Sequence, residues 1–442
     1  MTLSPQKRDD ILVALSRGTV PHRGLDALAV GIEHLQPAFE AELARVATGK
    51  GGFKAVRGEY GSGKTFVLRW LGERARRARF AVAEVQVSES ETPLHKLETV
   101  YRRAIEHLST EGTATAALAD IVGGWFFQLE SDVLAAGRVR DDDTAGLAGA
   151  VNVLMEQRLG EIAVASPMFA AGLRGYHRAV AAGDHATAQG LLAWLGAQPN
   201  VGAAIRRSAG LKGEIDSDGA SSALRGLLRI LRDSGYPGLV LVLDEVETLQ
   251  RMRSDTREKS LNALRQLLDE LDAERYPGLY LVVSGTPAFF DGHMGVQRLP
   301  PLAQRLATDF STDPRFDNPL AVQIRLRGFE QDGLVTLGRR VRDLFAEGSS
   351  APERVRGRCD DAYIELLAAR VCSHFGGKAR VAPRVFLKML VSDVLQRIEL
   401  FAEFDPRAHY AATVNAAELN ATERAATGVD DIDLELPDDH GG

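Results

Sequence analysis

Phe53-Lys54-Ala55-Val56-Arg57-Gly58-Glu59-Tyr60-Gly61-Ser62-Gly63-Lys64-Thr65-Phe66 is the stretch whose reading decides the fold. A short alternating run stops at Gly58, Gly61 and Gly63 follow, and Lys64-Thr65 opens an apolar-periodic segment with Phe66, Val67, Leu68, Trp70 and Leu71. The spacing Gly58-x-x-x-x-Gly63-Lys64-Thr65 fits the phosphate-loop pattern in the strand–loop–helix context that pattern requires. Glycines let successive backbone N–H groups curl around phosphate oxygens, and the helix amino end adds its partial positive charge. The loop Gly58, Glu59, Tyr60, Gly61, Ser62, Gly63, with Lys64, Thr65 and Phe66, is therefore the candidate nucleotide-binding segment. Lys64 is placed to reach the β- and γ-phosphates of ATP, and the Thr65 hydroxyl to be a ligand of Mg²⁺.

A second signal lies far along the chain. Leu239-Val240-Leu241-Val242-Leu243 is an aliphatic run ending in Asp244-Glu245, as expected of a strand buried on both faces of a parallel sheet. Acids at its carboxyl end sit where open α/β sheets place their ligands. Asp244 is the candidate Mg²⁺ holder and Glu245 the candidate residue that orients and activates the attacking water. Together with the phosphate loop, this pair points to hydrolysis and argues against a kinase. A further strand, Leu279-Tyr280-Leu281-Val282-Val283, ends in Ser284-Gly285-Thr286-Pro287. Thr286 or Ser284 could sense the γ-phosphate there, or simply cap a turn. Arg305 precedes a last strand over 321–326 and reads either as an arginine finger toward a neighbouring subunit or as a surface arginine.

The remaining sequence arranges itself around these points. At 442 residues the chain has room for two or three domains. Six acids and no Lys or Arg lie between Asp430 and Asp439, so much of the net charge of −7 belongs to the tail. Global charge therefore decides nothing about nucleic acid. No apolar run is long enough for a membrane span, the amino terminus lacks a signal-peptide core, and two cysteines cannot build a disulfide framework. A cytoplasmic location is the resulting expectation. The pattern divides into a helical arm over 1–50, the first half of a nucleotide-binding domain over 51–108, and an Ala-, Gly- and Leu-rich helical insertion over 109–220. The second half of that domain follows over 221–328, then a helical lid over 329–403 and an acidic, disordered tail over 404–442. The arm either lies over the nucleotide's base or only packs. The cluster Arg74–Arg79 is a solvated helix end or a DNA-contacting face, and His177 and His185 read as isolated surface histidines. In the lid, helices are expected over 329–346, 360–375 and 382–401. Arg380 or Arg384 could there report hydrolysis.

The order of these parts, with Arg17-Gly18-x-Val20-Pro21, Gly24-Leu25, Ala29-Val30-Gly31, Gly235-Tyr236-x-Gly238-Leu239 and Ser284-Gly285-Thr286-Pro287, resembles the AAA+ class near its initiator and STAND-type branches. More narrowly it resembles the BrxD family, the ATP-binding proteins of BREX bacteriophage-defence systems. The resemblance covers roughly residues 10–400. It implies a P-loop AAA+ α/β fold with a helical insertion and lid, and a bacterial ATPase encoded beside an Lhr-like superfamily 2 helicase and acting against foreign DNA. Three functional readings follow. One is an ATP-driven ATPase that assembles with itself, the helicase or DNA. Another is a slow-turnover switch whose nucleotide state selects a partner. The third is an origin-type DNA loader, for which the polar stretch 402–442 leaves no winged-helix domain. Any DNA contact is expected to be phosphate-led and salt-sensitive.

Overall fold

The computed structural model describes residues 3–137, 139, 143–374 and 383–411. Five strands form one sheet: β1 (Gly52–Arg57), β2 (Ala81–Gln86), β3 (Leu239–Asp244), β4 (Leu279–Gly285) and β5 (Gln323–Arg325). Their order is β2-β3-β4-β1-β5, and every neighbouring pair is parallel. All five carboxyl ends therefore share one sheet edge. Every residue of β4, and all of β3 except Asp244, is buried. Helices covering both faces explain why these strands read as continuous aliphatic runs rather than alternating ones. The last strand is shorter than the sequence suggests, three residues instead of six.

The chain forms two compact units, and the sheet belongs to the one made of His34–Arg57 and Leu71–Arg325. The expected helical insertion appears in it as five helices: Leu118–Ala135, Thr144–Ala165, Pro167–Ala181, His185–Leu195 and Ala203–Ser208. The break between the second and third was not legible as one. Ser166 leaves the helical region there, with φ −150°, and Pro167 starts the next helix, where a missing N–H costs nothing. Trp125, Leu129, Leu159, Phe169 and Leu173 join the same apolar core as Leu241, Leu243 and Leu281. The insertion is thus part of the sheet's own core. His177 is not an isolated surface residue: its ring stacks on Phe126 at 4.9 Å, and burial lowers its pKa.

The other unit comprises Met1–Glu33, Gly58–Trp70 and Leu326–Gly442. The expected arm over 1–50 is thus divided, with its first 33 residues in this unit. Helix Pro5–Ser16, capped by Ser4, buries Ile11 and Leu15 in a core shared with Leu334, Leu337 and Val341. These come from the helix Gln331–Ala346, which is followed by Asp361–His374 and by a helical run from Pro383 to Leu400. That run is π-helical over Met389–Leu395, and inside it the Ser392 hydroxyl donates to the Ser16 carbonyl at 3.0 Å. A further short helix, Pro352–Arg358, was not expected. Its Arg354 donates to the carbonyls of Ile398 and Glu399.

The acidic tail does not begin at 404. Phe404 is 9% exposed and packs in this core, Pro406–His409 forms a short helix, and the Tyr410 hydroxyl donates to Asp393 at 2.9 Å. Hydrophobic thinning misled here because one Phe and one Tyr suffice to dock a short segment. Residues 412–442, with the acidic run Asp430–Asp439, lie outside the described residues.

Candidate active site

β1 ends at Arg57, and the phosphate-loop sequence begins at the next residue. A Cβ on Gly58 would lie 2.3 Å from Ser62 Oγ and 3.2 Å from Ser62 Cβ, so that Ser62 would have to shift. Gly61 and Gly63 take φ of 77° and 92°, conformations that cost other residues about 1 kcal/mol or more. A turn closes through Ser62 N–H to the Glu59 carbonyl at 3.1 Å, and helix Lys64–Arg77 starts with Val67 N–H on the Gly63 carbonyl at 2.9 Å. The side of Gly63 where a Cβ would project is open for 4 Å. Lys64 is 8% exposed; its Nζ donates to the carbonyls of Gly58 at 2.9 Å and Glu59 at 3.4 Å and lies 4.9 Å from the Tyr60 ring centroid. Such a cradle, with glycine φ values that only a curled backbone needs, fits a phosphate group. Thr65 is the second residue of the helix and is partly buried, while Phe66 packs on the core of its own unit.

The first turns of that helix are held by the N-terminal segment of the same unit. Trp70 Nε1 donates to Asp26 at 2.8 Å, and Arg69 donates to the Val20 carbonyl. Arg384 lies against Gly18, where an added Cβ would be 3.2 Å from its Nη1. The segment around Arg17–Pro21 thus touches both the helix after the loop and the arginine expected to report on it. Arg380 lies outside the described residues.

In the sheet unit, the carboxyl edge gathers several polar side chains. Ser284, fully buried, donates its hydroxyl to Asp244 Oδ1. Glu245 follows β3 in a left-handed conformation, φ 60°, a strained position for a residue with a Cβ. Several bonds over-determine it. Its N–H donates to Asp244 Oδ1 at 2.9 Å, and its carbonyl accepts from Thr248 N–H at 3.0 Å and from the Thr248 hydroxyl at 2.9 Å. Its carboxylate accepts from Gln86 Nε2 at 2.8 Å. Thr286 is 4% exposed and stands at the amino end of helix Pro287–Asp291. Of the two hydroxyls singled out in the sequence, Ser284 is therefore the one bonded to Asp244.

Gln86 was missed by sequence reasoning. It is the last residue of β2 and the register partner of Asp244, and in the sequence it is only one polar residue inside the strand-like run Ala81–Ser88. Arg305 lies elsewhere. Its guanidinium pairs with Asp269 at 2.5 Å and with Asp272, and it lines a cleft with Gly51, Gly52 and Phe53 at the amino end of β1. At ~3.3 Å per residue, the six-residue strand puts that end about 17 Å from the carboxyl edge. The basic helix end is also partly neutralised: Arg74 pairs with Glu40 at 3.0 Å and Arg77 with Glu73 at 2.8 Å. No described helix is long and apolar enough to cross a membrane.

A family model described as BREX system ATP-binding protein BrxC/D matches residues 3–414. Among curated proteins, none matches the chain.

Proposed function

The chain belongs to the BREX ATP-binding BrxC/D family, a membership that implies ATP binding in phage defence, and from that premise we propose that it hydrolyses ATP with Mg²⁺ as an ATPase of AAA+ type. One observation carries the reading. The strand that ends in Asp244-Glu245 lies two places from β1 in the order β3-β4-β1, and the phosphate-loop sequence leaves β1 at its carboxyl end. ATP with its Mg²⁺ supplies an electrophilic phosphorus atom and a leaving group whose charge the metal offsets. The chain's residues do the rest. Lys64 and the loop N–H groups bind the phosphate oxygens. The hydroxyl of Thr65 and the carboxylate of Asp244 hold the metal, with Ser284 orienting that carboxylate. Glu245 accepts the proton of the attacking water. Thr286 stands at the end of β4 as a sensor, and Arg384 reports to the C-terminal helices as a lid. We further propose a cytoplasmic protein that remodels or regulates an assembly with an Lhr-like helicase, DNA or further copies of itself. Arg305 then acts between copies.

A second reading, a nucleotide-gated switch with slow turnover, is favoured by the Gln86–Glu245 bond, which engages the carboxylate that must accept the proton. One experiment separates the two. Glu245→Gln should still bind ATP and lose turnover by about a hundredfold or more, the usual weight of a general base. Wild-type hydrolysis in this variant would remove Glu245 from the mechanism. Light scattering on the same variant with ATP, Mg²⁺, DNA and the helicase then reads the assembly. A nucleotide-dependent rise in mass supports the self-assembling ATPase, and a monomer that joins only the helicase supports the switch.

A further inference from the structure

Glu245 sits at φ 60° and ψ 41°, a left-handed backbone that residues with a Cβ avoid and keep only where surrounding bonds over-determine it. That conformation aims the side chain. In the right-handed or extended region the Cα–Cβ bond, and the carboxylate with it, would point in another direction. Thr248, three positions further on, belongs to the 3₁₀ turn Val246–Arg251 that begins directly after Glu245. Its N–H donates to the Glu245 carbonyl at 3.0 Å, which any residue except proline could do there. The hydroxyl adds what the backbone cannot.

Thr248 Oγ1 lies 2.9 Å from the Glu245 carbonyl and 3.3 Å from the Val87 carbonyl, so its one proton is shared between two acceptors on different strand ends. Val87 follows Gln86, and its own N–H donates to the Asp244 carbonyl at 2.9 Å. Thr92, only 3% exposed, donates its hydroxyl to the Gln86 carbonyl at 2.5 Å. The end of β2 and the end of β3 are thereby fastened to one another, and the Gln86 amide reaches Glu245 from the strand so held. All of these residues belong to one compact unit. Threonine suits the position because its β-branch restricts χ1 and so holds the hydroxyl between the two carbonyls.

We propose that Thr248 is a positioning residue for ATP hydrolysis, its hydroxyl locking the left-handed turn that aims the Glu245 carboxylate. The proposal rests on the reading of Glu245 as the base that accepts the water's proton. The test is steady-state hydrolysis by the full chain with ATP and Mg²⁺, beside a titration with fluorescent N-methylanthraniloyl-ATP. A thermal melt fixes an assay temperature at which every variant is folded. Thr248→Val keeps the shape of threonine without the donor. It should lower kcat about tenfold and leave nucleotide affinity unchanged, because displacing a reacting group costs rate rather than binding. Thr248→Ser restores a hydroxyl and should recover most of the loss. Gln250→Ala, which removes a bond from the same turn to the Ala288 carbonyl, should leave kcat as it is. The decisive arm is the double variant. With Glu245→Gln no base remains to be aimed, so adding Thr248→Val should cost nothing further. Should valine unfold the chain, Thr248→Ala takes its place with the same expectations. Wild-type kcat in Thr248→Val, an equal loss in Thr248→Ser, or a further tenfold loss in the double variant overturns the positioning role and leaves Glu245 as the base. Wild-type turnover in Glu245→Gln alone, or none in the wild type, removes the base reading instead and the proposal with it.

Discussion

Charged side chains at the two edges of the sheet are held in opposite ways. At the amino edge, Arg305 is clasped by Asp269 and Asp272, so cation and anions largely cancel for any third group. At the carboxyl edge, Glu245 makes no ion pair among the described residues and is held by the neutral amide of Gln86. A dipole orients an ion without neutralising it. Its charge remains available to a metal, a phosphate or a proton, at a cost that, together with the strain of its own backbone, several converging hydrogen bonds must offset. In its own unit Lys64 is similarly oriented by the backbone carbonyls of Gly58 and Glu59. The contrast separates a charge held by a neutral amide from a charge clasped in ion pairs.

Three substitutions can break that contrast. The largest effect belongs to Lys64→Ala, which should weaken ATP binding by about a hundredfold, the weight of charge-assisted phosphate contacts. Unchanged affinity by calorimetry would mean that carbonyl-held cation is only structural. Next is Gln86→Ala. If the amide restrains the Glu245 carboxylate, its removal should raise steady-state turnover by about fivefold, the size of one ordinary hydrogen bond. A fall in turnover would show that Gln86 aims the carboxylate instead. The smallest effect is expected at Arg305, whose side chain is 37% exposed. Arg305→Ala should cost about 1 kcal/mol or less in chemical denaturation, as partly exposed ion pairs do, with turnover of the isolated chain unchanged. A loss of turnover that grows with protein concentration would move Arg305 from the packing side of the comparison to the catalytic side.

The two strongest motifs were legible because each is a local covalent pattern. Gly58 to Thr65 specifies its own turn through glycine freedom and the start of a helix, and Leu239 to Glu245 declares a doubly buried strand with acids at its end. The helical insertion was legible as helices for the same reason, though Ser166–Pro167 hid one break and His177 gained an aromatic neighbour that no spacing announces. The packed stretch after Phe404 escaped notice because two aromatic anchors leave almost no periodic trace.

The sequence by itself determined a glycine turn with phosphate-loop spacing, a parallel sheet with Asp244 and Glu245 at a strand end, and a set of candidate arginines. Only the tertiary structure decided which of those groups meet. It put Gln86 on Glu245 across 159 residues, Ser284 on Asp244 across 40, and the Arg57 and Arg325 guanidinia on the Phe310 ring. It sent Arg305 to the amino edge, onto Asp269 and Asp272. The physical reason is that strand order and register are set by how whole faces bury against one another. A residue's neighbours across the sheet follow from that burial and leave no mark in its own local pattern.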